Sequence, residues 1–546
     1  MQDANLLFNL KKFMDDELYE YTVQKLAEFQ KLCFEKFDQR AAHTDREGQP
    51  KLIRYDKFGN DVSEVWLNEG YKKTIADTYE TGIVGYLHKN IPELNRKANY
   101  HYSYALGYLL SQVESGFYCP VTLTMATAYL IDEYGDEELK AKFLPHVIST
   151  GDVELYEGAT FLTERQGGSD VGANETKAVR NVSGYRLYGE KYFASNAGAC
   201  KVAAVLARIE GAPAGTKGLS LFLVPWKKED GTSNQIHIRR LKDKLGVRAV
   251  PSAEVELNGA EASLIGDPSR GFYYMMEALN LSRICNAIAS AGIMRRAYIE
   301  AKGYADQRTA FGKRLTESPM IQETLCKMAV RQEIQTSACF ELIQLFEKVM
   351  REKESTDEEK VLTRLFIALL KAKTAEEAIE FSHEAIEMHG GNGYIEDFVT
   401  PRLLRDSQVL TVWEGTANIL GLEVLRLIQK HDVHLTFLGW MRKNSCGSSA
   451  VNKGIRELED LLAFLEKQKE EGWNVHAKKL SVLMCDLLLS AIALKDAHTG
   501  DQRKQAIADV WLEDCWNKSY KDEKMLAIKY YDLIVESKGS ALNAYI

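Results

Sequence analysis

The sequence predicts an α+β fold in four consecutive parts. These are an N-terminal helical domain over 1–155, a middle β domain over 156–270, a helical bundle over 271–432 and an added helical module over 433–546. Three observations carry this. Long segments with apolar residues at mixed three- and four-residue spacing, the period of amphipathic helices, lie on both sides of the middle. Between them, short β-favouring runs alternate with glycine-rich turns. Ten prolines in 546 residues are few, as expected where long helices dominate.

In the first part, LNEGYKKTIADTYETGIVGYLHKN and YHYSYALGYLLSQVESGFYCPVTLTMATAYLIDEYG carry the helical period, and Pro145 interrupts the pattern in DEELKAKFLPHVISTGD. After Tyr156 the texture changes. Tyr185, Leu187 and Tyr192, then Val202 to Ile209, Leu219 to Val224, Ile236 with Ile238, and Val255 with Leu257 form strand-like runs. Gly184, Gly189, Gly198, Gly211-Ala212-Pro213, Gly218 and Asp230-Gly231 separate them. No strand–glycine-turn–helix unit is present, so a dinucleotide-binding α/β fold fits poorly. Helices return from Gly271, and the His-Gly-Gly-Asn-Gly turn at 389–393 ends the third of them. EKESTDEEK at 352–360 reads as a solvated link. In the last part, RELEDLLAFLEKQ, LSVLMCDLLLSAIALKDA, AIADVWLEDCW and MLAIKYYDLIVE are each amphipathic, which packing on a partner or on the parent domain explains.

With 45% hydrophobic and 27% charged residues the composition is that of a globular protein, and the formal charge of −9 gives no reason to expect nucleic-acid binding. Nine cysteines without a CxxC pair argue against a disulfide framework or a zinc ribbon. Charges inside the first apolar run exclude a secretory signal, and no apolar run approaches the ~20 residues of a membrane span. A cytoplasmic, reducing compartment is the expectation.

VWEGTAN at 412–418 concentrates the chemistry. Glu414 lies between Trp413 and Gly415, where partial burial would bring a carboxylate's proton affinity towards working pH and suit it to proton abstraction. The alternative is a first-turn residue favoured by the helix dipole. In EGATFLTERQGGSDV at 157–171, Gly167, Gly168 and Ser169 suit either a pyrophosphate cradle or a tight turn capped by Ser169 or Asp170, and Thr163 is placed to hydrogen-bond a heteroaromatic ring. Phe193 and Ser195 in KYFASN, two residues apart on a strand face, would suit a flavin, or else a core ring and a strand-end hydroxyl. Arg308 in YADQRTAFGK precedes a helix break at Gly312 and has the donor fork that diphosphates need, with Phe311 for an adenine; a surface cation at a helix end is the alternative. His389 lacks partners at metal-ligand spacing and reads as turn or core, so no metal site is expected.

TERQGGSDV (163–171), KYFASN (191–196), KLGVRAVPSAEV (244–255), YADQRTAFGK (304–313), HGGNGY (389–394) and WEGTAN (413–418) together resemble the acyl-CoA dehydrogenase family, in that family's order and over about residues 100–430. RYDKFGNDVSEVW and the C-terminal module resemble the branch related to the alkylation-response flavoprotein. The resemblance implies FAD between the β domain and the bundle of a homotetrameric subunit. Thr163 and Ser195 match positions facing the flavin edge, and Ser169 matches a pyrophosphate contact. Phe193 matches a tryptophan packed near the isoalloxazine. Arg308 and Phe311 match the segment reaching a neighbouring subunit's FAD diphosphate and adenine. Gly390 and Gly391 belong to a further cofactor strip, in which Glu387 replaces a common glutamine, and Thr416 and Asn418 match positions near FAD.

Glu414 matches the base that removes the pro-R α-proton of an acyl thioester while the β hydride passes to flavin N5. The flavin 2′-hydroxyl and the backbone N–H of Glu414 would polarise the thioester carbonyl. Some relatives carry a base in the helix matching LNLSR (279–283), where this chain has Asn280, Ser282 and Arg283 and no carboxylate beside Arg283. Asn280 and Arg283 match positions near the CoA portion, Asn280 replacing a commonly acidic residue. Trp413 beside the base, and Arg165-Gln166 in place of Pro-Gly, point to a narrower pocket for short or branched acyl groups. The resemblance implies a trans-2-enoyl-CoA product and an electron-transferring flavoprotein as the electron acceptor, with oxygen a weaker option. Two other function classes stand beside this: a flavin-containing stress-response or nucleic-acid-associated protein with little turnover, and a purely structural helical assembly protein.

Overall fold

The computed structural model describes residues 3–182, 184–517 and 521–536. The chain forms two compact units, one of Glu20–Cys285 and one of Met1–Tyr19 with Asn286–Ile546. Helices α1 (Ala4–Phe13), α2 (Asp16–Leu32) and α3 (Asp38–Arg46) come first, then a hairpin of β1 (Lys51–Tyr55) and β2 (Asp61–Trp66). Helices α4 (Glu69–Tyr79), α5 (Tyr100–Ser111), α6 (Ser115–Tyr134) and α7 (Glu137–Val147) follow. Asn68, Asn99 and Asp136 fix the starts of α4, α5 and α7, each accepting the N–H of the third helical residue. Every residue of α5 is buried, so its apolar character runs all round.

Two features of this region depart from the sequence reading. The hairpin lies in a stretch read mainly as helical. Its turn is held by Asp56, whose Oδ1 accepts the N–H groups of Phe58 and Asn60 at 2.8 and 2.9 Å. Helix α7 also continues through Pro145 to Val147, because a proline this close to the end removes a single backbone bond.

The middle strands are β3 (Gly158–Phe161), β4 (Lys177–Asn181), β5 (Gly184–Ser195), β6 (Val202–Ile209), β7 (Leu219–Pro225), β8 (Ile236–Leu241) and β9 (Ser252–Ile265). The pairings run β6–β4–β5–β9–β7 and return to β6, so the sheet closes on itself, with β3 on β6 and β8 on β9. Small interior residues, among them Ala159, Ala178, Ala194, Ala203 and Ala253, allow this closure around Phe161, Phe222 and Val255. The sequence reading missed β3 and β4. Each is short, and their half-polar or small residues give no apolar run.

Then come α8 (Gly271–Gln307), the two-residue strands β10 (Thr309–Ala310) and β11 (Lys313–Arg314), α9 (Pro319–Glu347), α10 (Asp357–His389), α11 (Thr400–Leu410) and α12 (Ala417–His431). The charged link is shorter than the sequence suggested. Thr356 and Glu359 form a reciprocal capping box, so 357–360 already belong to α10. Helices α13 (Val433–Asn444), α14 (Ser449–Leu465), α15 (Glu470–Ala497), α16 (Gln502–Trp516) and α17 (Leu526–Lys529) complete the described chain. The apolar stripes of this last part pack on its own bundle, with α15 against α9, α10 and α12.

Buried charges join these helices. Glu333 on α9 accepts from both Nη atoms of Arg503 on α16, at 2.8 and 2.5 Å, and its backbone carbonyl accepts from Asn5 of α1 at 3.0 Å. Glu377 on α10 is paired with Arg331 at 2.9 Å and with Lys373 at 3.2 Å, and Lys373 also reaches Asp486 of α15. Burial pushes the Glu333 carboxyl up, but the Arg503 and Lys504 charges outweigh this and hold it down at about 2. Because the folded value is depressed, its stabilisation is present above the unfolded carboxyl value of about 4.3 and is lost as pH falls towards the folded one. Arg503→Met strands this carboxylate and is expected to cost about 3–5 kcal/mol at neutral pH, read as a lowered denaturation midpoint. A parental midpoint would show that the pair contributes nothing.

Candidate active site

In the unit of Glu20–Cys285, the chain leaving β3 turns back at Gly167, whose N–H donates to the Glu164 carbonyl at 3.0 Å with φ +117°. A Cβ on Gly168 would lie 2.6 Å from Thr163 Oγ1, so glycine there lets the turn pass against that hydroxyl. Ser169 is exposed. Asp170 makes no side-chain cap to the 3-10 turn that follows, which sets aside the capping alternative for it. The Thr163 carbonyl accepts the Tyr192 N–H at 3.0 Å, so the turn and KYFASN are neighbours.

A buried ion pair fastens this arrangement. Lys191 is 1% exposed, and its Nζ donates to Glu164 Oε1 at 2.8 Å and to the Leu206 carbonyl at 2.9 Å. Glu164 also accepts from the Glu175 N–H and from the Thr176 N–H and hydroxyl. Burial pushes the Glu164 carboxyl up, yet the Lys191 charge and these hydrogen bonds hold it below the ordinary range.

Phe193 is 57% exposed, which overturns the alternative of a core aromatic. A bulge between Lys191 and Ala194 turns this end of β5, and Ala194 points into the barrel core. Phe193 and Ser195 therefore project from the opposite face. Lys242 lies against the same ring, its Nζ 4.8 Å from the Phe193 centroid and 3.4 Å from that of Tyr192. An exposed flat ring, a neighbouring hydroxyl and a glycine turn without side chains fit the ring and phosphates of a flavin nucleotide.

On α8, Arg283 Nη1 donates to Asn280 Oδ1 at 3.2 Å, bringing together the two residues matched to the CoA portion. One turn earlier is a carboxylate that the sequence reading passed over. Glu277 accepts the Tyr129 hydroxyl at 3.1 Å and also that of Tyr134. Its signal was the three-residue spacing to Asn280, which places both on one helix face.

In the other unit, α11 ends at Leu410, and the N–H groups of Val412 and Trp413 both donate to the Val409 carbonyl, at 2.9 and 3.0 Å. Glu414 (φ +59°) and Gly415 (φ +104°) then take left-handed backbone, and Thr416 is the N-cap of α12. Glu414 thus precedes the cap by two residues, which corrects the first-turn alternative. Its side chain and that of Trp413 are half-buried, while Thr416 and Asn418 are exposed. Lys371 of α10, itself buried, donates Nζ to the Gly415 carbonyl at 2.6 Å. Lys371, one of two lysines in FIALLKAKT, gave no sequence signal for this.

Helix α8 ends at Gln307, earlier than the break expected at Gly312. Arg308 is exposed just beyond it, and Phe311 (φ +53°) with Gly312 (φ +80°) makes a two-residue hairpin turn whose phenyl ring stands in solvent. His389 is a core ring, stacked on Tyr304 at 4.3 Å, and Asn392 donates to the Tyr304 hydroxyl at 3.1 Å. This joins HGGNGY to YADQRTAFGK. Gly390 (φ +58°) and Gly391 are exposed at that junction. Among the described residues no cluster of His, Cys, Asp and Glu is placed to hold a metal ion, and no helix is long and apolar enough to cross a membrane.

Along the chain a closed β domain lies between helical regions, with a glycine turn and an exposed ring in one unit and a carboxylate on a fastened turn in the other, the order of parts found in acyl-CoA dehydrogenases. The chain belongs to the acyl-CoA dehydrogenase family and is an enzyme of that class. Residues 159–260 match the family's middle domain and 269–428 its C-terminal domain, while 3–151 match the adaptive response protein AidB N-terminal domain. The chain is 34% identical to acyl-CoA dehydrogenase family member 11 of Caenorhabditis elegans, over 84% of this chain and 79% of that one. It is 32% identical to the putative acyl-CoA dehydrogenase AidB of Escherichia coli, over 70% and 69%. The solved structure of Caenorhabditis elegans ACDH-11 in complex with C11-CoA superposes with a TM-score of 0.86 at 29% identity, covering 99% of this chain and 95% of that one.

One further carboxyl titrates near neutrality. Glu157 precedes β3 on the wall of a cavity of ≈380 Å³, and it accepts the Tyr79 hydroxyl at 3.1 Å. Burial pushes it up to about 7, against the hydrogen bonds from Tyr79 and Asn196. Since the folded value is raised, the stabilisation is full below the unfolded value of about 4.3 and is lost as pH rises through 7. Glu157→Gln is expected to flatten the melting temperature between pH 5 and 8 and to exceed the parent at pH 8 by up to about 3 kcal/mol. Parallel parent and variant curves would refute the raised value.

Proposed function

We propose that this enzyme oxidises a short or branched acyl-CoA to its trans-2-enoyl-CoA, with Glu414 as the base and an electron-transferring flavoprotein as acceptor. The observation that carries the reading is the Glu414 turn, a half-buried carboxylate on left-handed backbone fastened at its next carbonyl. Glu414 takes the α-proton as the α C–H bond breaks and the α–β double bond forms. FAD, when bound, supplies the two-electron acceptor for the β hydride. Thr163, Ser169, Phe193, Ser195, Gly390, Gly391, Thr416 and Asn418 are assigned to the cofactor. Arg308 and Phe311 are assigned to the FAD of a second copy in a homotetramer, and Asn280, Arg283 and Trp413 to substrate. The segments 1–155, 156–270, 271–432 and 433–546 and a cytoplasmic location belong to the same reading.

The half-buried Trp413 ring supports a narrow acyl pocket. A specific observation favours a longer chain, since ACDH-11 of Caenorhabditis elegans, which covers 99% of this sequence, was solved with C11-CoA. Anaerobic mixing with short, branched, aromatic and C11 acyl-CoAs should bleach the oxidised flavin, fastest for the short or branched members. Fastest bleaching by C11-CoA would transfer the assignment to longer chains. A second function, an adaptive-response flavoprotein with little turnover, draws on the match over 3–151. It requires no bleaching by any acyl-CoA together with salt-dependent retention on DNA.

Glu414→Gln keeps size and hydrogen bonding but removes the proton acceptor. FAD content and acyl-CoA binding should survive, while stopped-flow flavin reduction falls at least ~10²-fold. A parental rate would assign the proton to another residue. Arg308→Ala should weaken FAD retention and loosen oligomers, as loss of a charge-assisted contact does. Calorimetric FAD binding and sedimentation equal to the parent's would leave Arg308 as a surface cation.

A further inference from the structure

The turn bearing Glu414 adopts a backbone that a glutamate does not choose for itself. A side chain at φ +59° is disfavoured, and Gly415 follows at +104°. Such a conformation persists only where surrounding structure holds it. Two bonds from the N-terminal side, to the Val409 carbonyl, set where the turn begins. From α8, Asn286 Nδ2 donates to the Leu410 carbonyl at 3.2 Å and anchors the end of α11. On the C-terminal side the contact is the Lys371 ammonium, 2.6 Å from the Gly415 carbonyl. Lys371 lies mid-helix in α10 and is 1% exposed, between fully buried Leu370 and Thr374. An ammonium buried this far is costly unless its hydrogen bonds replace water. A neutral side chain would fill the same volume without that cost, and one of the bonds that offset it goes to the Gly415 carbonyl.

We propose that Lys371 is a positioning residue for the proton transfer, anchoring the Gly415–Thr416 peptide just past Glu414 so that the turn holds the Glu414 carboxylate in one orientation. This rests on the reading of Glu414 as the base. Without the ammonium the turn loses its anchor at the Gly415 carbonyl, and the carboxylate samples orientations that do not meet the α C–H bond.

The test uses the FAD-loaded full chain and compares Lys371→Met, Lys371→Arg, Glu414→Gln and the Lys371→Met/Glu414→Gln pair. The probe is whichever acyl-CoA of the panel bleaches the parent fastest. Lys371→Met is expected to keep FAD content and acyl-CoA affinity while flavin reduction slows about 10²-fold, the scale on which misplacing a reacting group acts. Lys371→Arg, which retains a charged donor, should recover most of the loss. The double variant should be no slower than Glu414→Gln alone, because Lys371 acts through that carboxylate. Hydrogen exchange of the segment 411–416, which needs no turnover, should quicken in Lys371→Met and stay parental in Glu414→Gln. A parental rate and exchange in Lys371→Met, with Glu414→Gln slow, would overturn the proposal, as would additive losses in the double variant. A parental rate in Glu414→Gln would instead overturn the assignment of the base, and the exchange measurement would still decide whether Lys371 holds the turn.

Discussion

The buried pair of Lys191 and Glu164 is the constraint on which the candidate cofactor face depends. It ties β5 to the loop leaving β3 and, through the Leu206 carbonyl, to β6. Thr163 lies immediately before Glu164, Phe193 and Ser195 lie just past Lys191, and the Gly167–Ser169 turn closes on Thr163. An ion pair in this position is not there for stability, since apolar residues of equal volume often serve a core as well or better. Its value is directional. A carboxylate with four donors and an ammonium with three acceptors admit one arrangement of three strands, where an apolar contact would admit several.

The candidate catalytic turn follows a similar logic in the other unit. A buried cation, Lys371, meets a backbone carbonyl rather than lying in a groove of apolar side chains. In both places the side chains proposed to meet cofactor or substrate sit on irregular backbone, a bulge in β5 and a left-handed turn before α12, and a charged group from a regular element holds that irregularity. This divides the labour sensibly. Regular strands and helices supply rigidity, and the departures from them aim the reacting groups.

Much of the fold was legible because its elements are long. The helical period is plain over α12 and α14, helices α9, α10 and α15 run for 29, 33 and 28 residues, and β6 and β7 are largely apolar runs. What was not legible was short or fixed from afar. Strands β3 and β4 carry too few apolar residues to show a period, and the β1–β2 hairpin is held by Asp56 and by the Ser63 hydroxyl accepting the Ile238 N–H, a contact 175 residues away in sequence. For the candidate site, the glycine turn, the exposed ring and Glu414 were found as motifs. The support of the Glu414 turn, Lys371, was not, because its partner lies 44 residues away and it carries no local pattern. Lys191 and Glu164 lie inside motifs that were found, but their pairing across 27 residues shows only in the fold.

The C-terminal module reads as an addition in the sequence, yet its charges make it part of the bundle. Glu333 of α9 would lose Arg503 and Lys504 without α16, and Lys373 of α10 would lose Asp486 without α15. Each of these groups would lose part of the partner set that compensates its burial. The consequence reaches the candidate base. Helix α12, which begins three residues after Glu414, packs on α15 at a point where Gly421 meets Ala477, and a Cβ at Gly421 would come within 3.3 Å of the alanine methyl. The approach is close because both residues are small, so α12 has little freedom to shift against α15. The orientation of the turn is therefore set from both ends, by Lys371 on one side and by the seat of α12 on the module on the other, and the added helices act as a buttress for the chemistry rather than an appendage to it.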